Sequence, residues 1–216
     1  MLSPIRAKSF DTDHLFDAAL PTPGACLRLT RDEEIFGEGE DADYIYQVVS
    51  GSVRTYRILR DGRRQVDAFL FAGDYFGWEM GEAHRVTAEA MCDTSVRMIR
   101  RGALSDLVAR RGDAARAVFH LTAEGLQRSQ DHVLMLGRRS AIERVVGLLL
   151  DIAQRTRADA EIDVPMGRQD MADYLGLTIE TVSRALTSLQ DEGLIALPTV
   201  RHVVLKDRRA LERMVL

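Results

Sequence analysis

Five polar residues stand at helical spacing in the stretch 178–187 and could read another molecule by hydrogen bonding. They are Glu180, Thr181, Ser183, Arg184 and Thr187. A carboxylate, hydroxyls and a guanidinium on one exposed helix face are the groups that recognise base edges in the major groove of DNA. An ordinary helical hairpin with a solvated face has the same pattern, so the motif alone leaves both interpretations open.

Two helices around a tight turn would position these side chains. The first helix has apolar residues at helical spacing, namely Met171, Ala172 and Leu175. The second has one apolar stripe, formed by Val182, Leu186 and Leu189. Gly176 can end the first helix because glycine adopts positive φ without strain, and Thr178 can cap the second. With the stripe facing inward the polar residues face outward, and residues 167–189 predict a helix-turn-helix.

Size and composition limit the class of protein. The chain has 216 residues, 46% hydrophobic and 29% charged, which are ordinary proportions for one large globular domain or two modest ones. No apolar run approaches the ~20 residues that span a bilayer. Residues 1–10 have no apolar core typical of a secretion signal. We therefore expect a cytoplasmic protein without a membrane partner.

The two cysteines indicate the same compartment. Cys26 and Cys92 are far apart in sequence, and neither has a second cysteine at metal or redox spacing. We expect free thiols in a reducing cytoplasm, with a thiol switch as an open alternative.

The net charge of the chain does not indicate that it binds nucleic acid. The chain carries a formal charge of −4, and residues 138–216 contain 12 basic and 12 acidic residues. The DNA-binding hypothesis therefore depends on the motif, and phosphate contacts would come from a few placed residues.

Residues 26–100 show a β pattern. Strand-like runs occur at 44–49, 52–59, 65–71 and 95–99, and glycines separate them about every 11–12 residues. This pattern predicts a sandwich or barrel. Asp61-Gly62 predicts a hairpin. The run 73–77 predicts a strand corner, with a binding loop as the alternative.

A long helix is predicted over 104–137. Six of its residues form a seam, in two series spaced by seven: Phe119, Leu126 and Val133, and Thr122, Ser129 and Leu136. Such a seam is typical of coiled coils, so we expect a parallel homodimer, with packing on the chain's own β-domain as the alternative. Ser129 brings no charge face to face with its copy, so we expect the dimer to form without a ligand.

The remaining pattern predicts a winged helix. Ser140 and Glu143 form a capping box for a helix. The apolar face of that helix is Ile142, Val145, Val146, Leu149, Leu150 and Ile152. The later elements are a strand at 162–164, the helix-turn-helix, hairpin strands at 193–197 and 202–205 around a tip at 198–201, and a helix at 207–214.

This order of parts resembles the Crp/Fnr superfamily of bacterial transcription regulators. The stretches 46–53 and 73–77 are similar to its β-roll, and 168–184 is similar to its helix-turn-helix, closest to the FixK and Fnr branches. The implied fold class is α+β, with an N-terminal β-roll (a cyclic-nucleotide-binding-like jelly roll), a long dimerisation helix and a C-terminal winged helix-turn-helix. The implied domains are an arm at 1–25 with a short helix near 13–19, a β-roll sensor-like domain at 26–103, a dimerisation helix at 104–137 and a DNA-binding domain at 138–216.

The resemblance also implies roles for single residues on a palindromic site in double-stranded DNA. Glu180 would accept from a cytosine amino group, Arg184 would donate to a guanine or to a phosphate beside it, and Ser183 would touch a thymine. Regulators of the Crp branch carry a second arginine where this chain has Ile179, which favours TTGA-type over TGTGA half-sites. Backbone contacts are expected from Gln169, Thr178, Thr199 and Arg201, with a solvated side chain as the alternative for each.

A cyclic nucleotide is not expected in the β-roll. Family members that bind one carry a glycine-glutamate pair for the ribose and an adjacent arginine and serine or threonine for the phosphate. In the stretch 77–88, Trp78 displaces the glutamate and Val86 separates Arg85 from Thr87. One extra residue on a strand turns a side chain to the other face. We therefore expect Arg85 to be a surface or interdomain charge.

Other cofactors are not expected either. An iron–sulfur cluster of the Fnr kind needs four cysteine ligands, and these 216 residues contain two. Nothing marks out a haem ligand among the five histidines, which are His14, His84, His120, His132 and His202. His132, beside the seam, is expected to be packed or hydrogen-bonded. The FixK branch commonly lacks a cofactor, and a ligand-gated regulator that binds a cyclic nucleotide or haem in the β-roll is the alternative.

An enzyme is not predicted. The sequence has no nucleophile–base set or metal-ligand spacing, and residues 73–77 lack the lysine of a phosphate-binding P-loop. The resemblance implies instead an activator that contacts RNA polymerase through β-roll or wing surfaces.

Overall fold

The computed structural model describes residues 24–138 and 140–215. The predicted arm and its short helix near 13–19 lie outside them, apart from residues 24 and 25. The N-terminal strands are β1 (Cys26–Leu29), β2 (Glu34–Phe36), β3 (Tyr44–Ser50), β4 (Ser52–Ile58), β5 (Arg64–Phe71), β6 (Tyr75–Phe76), β7 (Thr87–Ala90) and β8 (Thr94–Arg100). Helices follow as α1 (Arg101–Arg110), α2 (Gly112–Arg138) and α3 (Ala141–Arg155). The chain continues with β9 (Glu161–Asp163), α4 (Arg168–Leu175), α5 (Ile179–Asp191), β10 (Ile195–Thr199), β11 (His202–Leu205) and α6 (Arg208–Val215).

The N-terminal strands form a sandwich of two antiparallel sheets. Their strand orders are β1-β8-β3-β6 and β2-β7-β4-β5. Both sheets contribute to one core, whose fully buried members include Val48 and Val96 from the first sheet and Val53 and Ala88 from the second. Alternate residues of each strand point into this core, which explains the pattern of the sequence. The predicted β-roll is confirmed.

Two turns of the β-roll also follow the prediction. Asp61-Gly62 joins β4 to β5, and Gly62 has a φ of +83°. Asp61 closes the turn by accepting hydrogen bonds from the backbone and side chain of Arg63. The run Gly73 to Gly77 is a corner in which the two residues of β6 pair with β3. The predicted hairpin and strand corner are confirmed.

The helix predicted over 104–137 is wrong in its extent. Two helices occupy the region, and Arg111 between them is extended, with φ of −131° and ψ of 112°. In the first turn of α2, Asp113 accepts from the backbone N–H of Ala114 and pairs with the Arg111 guanidinium. The break lets both helices pack on the outside of the β-roll, where Leu104 of α1 and Leu121 of α2 share one cluster.

The C-terminal elements form a winged helix-turn-helix. Ser140 Oγ accepts from the Glu143 N–H at 3.3 Å and Glu143 Oε2 accepts from the Ser140 N–H at 2.7 Å, which confirms the capping box. The wing is an antiparallel sheet of order β10-β11-β9. Fully buried residues of α3, α4, α5 and the wing share a core with Val66 of β5. The β-roll and the winged helix-turn-helix are therefore joined by continuous apolar packing.

Three predicted boundaries shift. The strand predicted at 162–164 is β9, which begins and ends one residue earlier. The closing helix predicted at 207–214 is α6, which begins and ends one residue later. The strand predicted at 193–197 is β10, which extends through Pro198 and Thr199. Gly193, at a φ of +73°, instead belongs to the turn after α5. A proline is tolerated in β10 because it is an edge strand and its missing N–H costs no ladder bond.

Among the described residues, no helix is both long and apolar enough to cross a bilayer.

Candidate nucleic-acid interface

The turn between α4 and α5 has the chemistry predicted for it. Gly176 ends α4 in the left-handed conformation, with φ of +62°, and its N–H donates to the Ala172 carbonyl. Thr178 begins α5, and its Oγ1 accepts from the Thr181 N–H at 3.2 Å. Each of these residues satisfies a backbone group that the helix ends would leave unpaired. The turn therefore sets the direction of α5.

One face of α5 is buried and the other is open. Val182, Leu186 and Leu189 are at most 1% exposed. Glu180, Ser183, Arg184 and Thr187 are exposed on the opposite face. Thr181 differs from the prediction because it is half-buried, with its hydroxyl 3.0 Å from that of Thr178. The structure thus brings the three predicted base-reading residues onto one exposed surface, the reading face, which we define as Glu180, Ser183, Arg184 and Thr187.

The reading face has one acceptor and one donor of fixed charge. Hydrogen bonds from its own backbone N–H and from the Thr178 hydroxyl, together with the charge of Arg184, hold the pKa of Glu180 below its usual value of 4.5. An ionised carboxylate only accepts hydrogen bonds and a guanidinium only donates them. Ser183, Arg184 and Thr187 line a shallow surface depression. The face can therefore accept from one base edge and donate to another.

The four predicted backbone contacts lie in two places. Gln169 on the first turn of α4 is exposed, and its Nε2 donates to Asp173 Oδ1 at 2.7 Å. Thr178 is exposed but its oxygen already caps α5. Thr199 and Arg201 meet at the tip of the wing, where Thr199 Oγ1 accepts from the Arg201 N–H at 3.2 Å. Their contacts with phosphates remain predictions.

The seam of α2 is exposed to solvent in the single chain. Phe119, Leu126 and Val133 are 69%, 61% and 69% exposed, whereas Leu121 on the opposite face packs against the β-roll. These three residues therefore do not pack on the chain's own β-domain, which was the alternative. Large apolar side chains at seven-residue spacing on an open helix face are typical of a surface that binds a second helix. Thr122 and Ser129 are also exposed, and Leu136 is half-buried.

A cleft of about 980 Å³ lies between β5, α2 and α3, and Arg85 and Val86 line it. Arg85 is exposed, but the hydroxyl of Thr87 accepts from the Glu38 N–H at 3.1 Å. Glu79 is used within its own loop, where it accepts from the Arg85 N–H at 3.2 Å. At the positions of the cyclic-nucleotide cassette, Thr87 and Glu79 are thus bonded within the chain, and the exposed Arg85 lines the cleft.

The described histidines contact other side chains of the protein. His84 is 2% exposed and stacks on Phe36, with ring centroids 3.6 Å apart. His202 on the wing lies 3.0 Å from Asp163. His132 is packed and hydrogen-bonded at α4, as predicted for it. His14 lies outside the described residues.

Within the described ranges no group of three or more His, Cys, Asp or Glu side chains is arranged to hold a metal ion. Cys26 is exposed, Cys92 is half-buried, and both are free thiols.

An ion-pair cluster between the β-roll and α4 was missed at the sequence level. Asp170 and Asp173 of α4 contact Arg54 of β4 and Arg64 of β5. The partners are more than a hundred residues apart in sequence. Two aspartates three residues apart on a helix indicate a polar face, but no local pattern shows which strand will cover it.

Known proteins resemble this chain in both parts. A family model described as "Crp-like helix-turn-helix domain" matches residues 143–214, and one described as "Cyclic nucleotide-binding domain" matches residues 26–111. The nitrogen fixation regulation protein FixK of Azorhizobium caulinodans is 46% identical over 91% of this chain and 80% of that protein. The transcriptional activatory protein AadR of Rhodopseudomonas palustris is 37% identical over 79% of this chain and 73% of that protein. The solved structure of FixK2 from Bradyrhizobium japonicum has a TM-score of 0.86 at 44% identity, covering 90% of this chain and 98% of that one.

Proposed function

The chain belongs to the FixK branch of the Crp/Fnr family of transcription regulators, and from this premise we propose that it binds TTGA-type palindromes in double-stranded DNA as a homodimer. The reading face is the observation that supports this proposal most strongly. It presents an ionised Glu180 and an Arg184 one helical turn apart, on a helix whose opposite side is fully buried. Each correct contact with a base edge is worth about 1–3 kcal/mol of discrimination.

Half-site preference follows from the first residue of α5. Ile179 is 38% exposed, so its apolar side chain is presented beside Glu180 at the start of the helix. An aliphatic side chain cannot donate to guanine, although it can contact a thymine methyl group. We therefore expect TTGA to be preferred over TGTGA. Gln169, Thr178, Thr199 and Arg201 would fix the register by contacting phosphates.

Dimerisation would present two copies of α5 to the same side of the duplex. The exposed seam of α2 supports pairing of two parallel helices, whose apolar residues are otherwise left in water. Two-fold symmetric regulators bind half-sites whose centres are about 34 Å apart, one turn of DNA. Palindromy of the operator would then reflect the symmetry of the dimer.

The regulator is proposed to act in the cytoplasm, without an iron–sulfur cluster and without cAMP, and to have no enzymatic activity. The two separate thiols support the absence of a cluster, and the displaced cassette residues support the absence of cAMP. The name of AadR, an activatory protein, supports activation of transcription, which would require a contact with RNA polymerase through β-roll or wing surfaces. The cleft of about 980 Å³ favours the second candidate, a regulator gated by a cyclic nucleotide or haem in the β-roll.

A gel-shift series with TTGA and TGTGA palindromes, at several salt concentrations, tests the proposal. We expect binding without any added ligand, tighter to TTGA, with affinity falling as salt rises because phosphate contacts release counterions. Equal affinity for both palindromes and for random DNA would exclude sequence-specific reading. Binding that appears only with cAMP, or a haem absorption band in the purified protein, would favour the second candidate.

A further inference from the structure

Two arginines of the β-roll clamp the first helix of the helix-turn-helix. Arg64 of β5 donates from Nη2 to Asp170 Oδ1 at 2.5 Å and from Nε to Asp173 Oδ2 at 2.8 Å. Arg54 of β4 donates from Nη1 to Asp170 Oδ2 at 3.2 Å. We call these four residues the α4 clamp. It connects two strands of one domain with the helix that supports α5 in the other.

The α4 clamp is largely shielded from water. The side chains of Arg54 and Asp170 are 11% and 10% exposed, and those of Arg64 and Asp173 are 24% and 12% exposed. A charge removed from water is stable only when it is paired, so the loss of one member leaves its partner uncompensated. Separation of α4 from the β-roll would therefore be opposed by every pair in the cluster.

Contacts outside the clamp hold the same helix. Gln65 Nε2 donates to the Asp173 carbonyl at 2.7 Å, and the ring of Phe69 lies 4.9 Å from that of Tyr174. Arg144 of α3 donates to the Leu175 carbonyl at 3.0 Å. Strand β5 and helix α3 thus contact α4 together with the clamp. None of these contacts involves the reading face, which stays open on α5.

We propose that Arg54 and Arg64 are positioning residues for DNA binding, which hold α4 and with it the reading face in the orientation that binds the operator without a ligand. This inference rests on the proposed function. Under this proposal Arg54 and Arg64 fix the winged helix-turn-helix on the β-roll, so no bound effector is needed to orient it. The free-energy cost of orienting the domain is then met during folding and does not reduce the affinity for DNA.

The pair Arg64 and Asp173 provides the clearest test. Asp170 also caps α4 by accepting from the Gly167 N–H, and Arg54 also pairs with Glu89 inside the β-roll. Substitution of either would disturb more than the clamp. Arg63 provides a matched control, because it carries the same charge one residue away, is 77% exposed and pairs only with Asp61 among the described residues.

The experiment measures operator and random-DNA affinity for the full-length protein and for Arg64→Ala, Asp173→Ala, the double variant and Arg63→Ala. We expect each single substitution in the pair to lower operator affinity about tenfold, because a hydrogen-bonded charge pair is lost. The double variant should lose less than the sum of the two single losses, because both substitutions remove the same Arg64–Asp173 pair, while Arg64→Ala alone also removes the pair with Asp170. Arg63→Ala should bind like the parent. Unchanged or increased operator affinity for Arg64→Ala overturns the proposal, and an increase would mean that the clamp inhibits binding.

Amide hydrogen exchange separates this inference from the proposed function. Without DNA, Arg64→Ala should exchange faster than Arg63→Ala at the amides of α4. If the parent protein binds no palindrome, the proposed function fails while the exchange result still tests the clamp. If exchange in α4 is the same in both variants, the clamp does not hold the helix, whatever the DNA affinity.

Discussion

His132 of α2 stacks on the ring of Tyr174 of α4, with ring centroids 3.9 Å apart. Its Nε2 lies 3.0 Å from the Tyr174 carbonyl oxygen, and because a carbonyl only accepts, the ring must donate from Nε2. Burial lowers the pKa of His132 below its usual value of 6.5, against the opposing effects of this hydrogen bond and of Asp67 and Asp151. The contact between the long helix and the helix-turn-helix is therefore made by a neutral imidazole.

This contact predicts a loss of stability in acid. A histidine with a lowered pKa in the fold stabilises it above 6.5 and loses that contribution as the pH falls. We expect the denaturation midpoint to drop between about pH 7.5 and about pH 5.5, and to drop less in His132→Gln. Burial also lowers the pKa of His84, and this residue should account for the drop in the midpoint that remains in His132→Gln.

His202 offers a control of opposite sign. The hydrogen bond to Asp163 raises its pKa, so it stabilises the fold in acid. His202→Gln should therefore enlarge the drop in the denaturation midpoint between about pH 7.5 and about pH 5.5. A pH dependence that is the same in the parent and in His132→Gln would contradict the assignment of the acid effect to His132.

Removal of Arg184 should damage specific binding selectively. Arg184→Ala is expected to weaken operator binding by about 1–3 kcal/mol, because a bidentate contact with guanine is lost, and to weaken random-DNA binding much less. Fluorescence anisotropy with the two DNA types measures both affinities. Equal losses on operator and random DNA would assign Arg184 to a phosphate.

Glu180→Ala should act differently from Arg184→Ala. Loss of the only carboxylate on the reading face should relax the preference at one base pair and leave much of the affinity. A series of operators, each changed at one position, measures this relaxation. Unchanged preference at every position would show that Glu180 does not read a base.

The seam can be tested by a single charge. Leu126→Glu should split the dimer and abolish operator binding, because it places two carboxylates in an apolar interface. Gln127→Glu adds the same charge next to the seam and should remain dimeric. Light scattering at micromolar concentration, without ligand, reports both states, and a parent protein that is monomeric under these conditions would disprove the dimer.

The buried face of α5 predicts a large loss of stability on truncation. Leu186 is 1% exposed, and Leu186→Ala should lower the free energy of unfolding by about 2–5 kcal/mol by leaving a cavity. Thr187→Ala, on the exposed side of the same turn, should change it by less than about 0.5 kcal/mol. Denaturant titration distinguishes the two, and similar small effects would mean that α5 is not held by its apolar stripe.

Local chemistry in the sequence was enough to predict most elements. Gly176 and Thr178 mark the turn between α4 and α5 because positive φ and side-chain capping are properties of single residues. The periods of apolar residues identify which face of α5 is buried and where the seam of α2 lies. The break at Arg111 was missed because the helical pattern continues through it, and the choice between one helix and two depends on the surface of the β-roll.

The sequence by itself determined the order of the parts, the two faces of α5 and the positions of the seam, since each follows from residues close together in the chain. The structure showed that the seam is open to solvent. Only the tertiary structure decided how the two domains meet. The pairing of Arg64 with Asp170 and Asp173, and the stacking of His132 on Tyr174, join residues that no local pattern connects. Charges and rings have many possible partners in a sequence, and the packing of β5 and α2 against α4 selects among them.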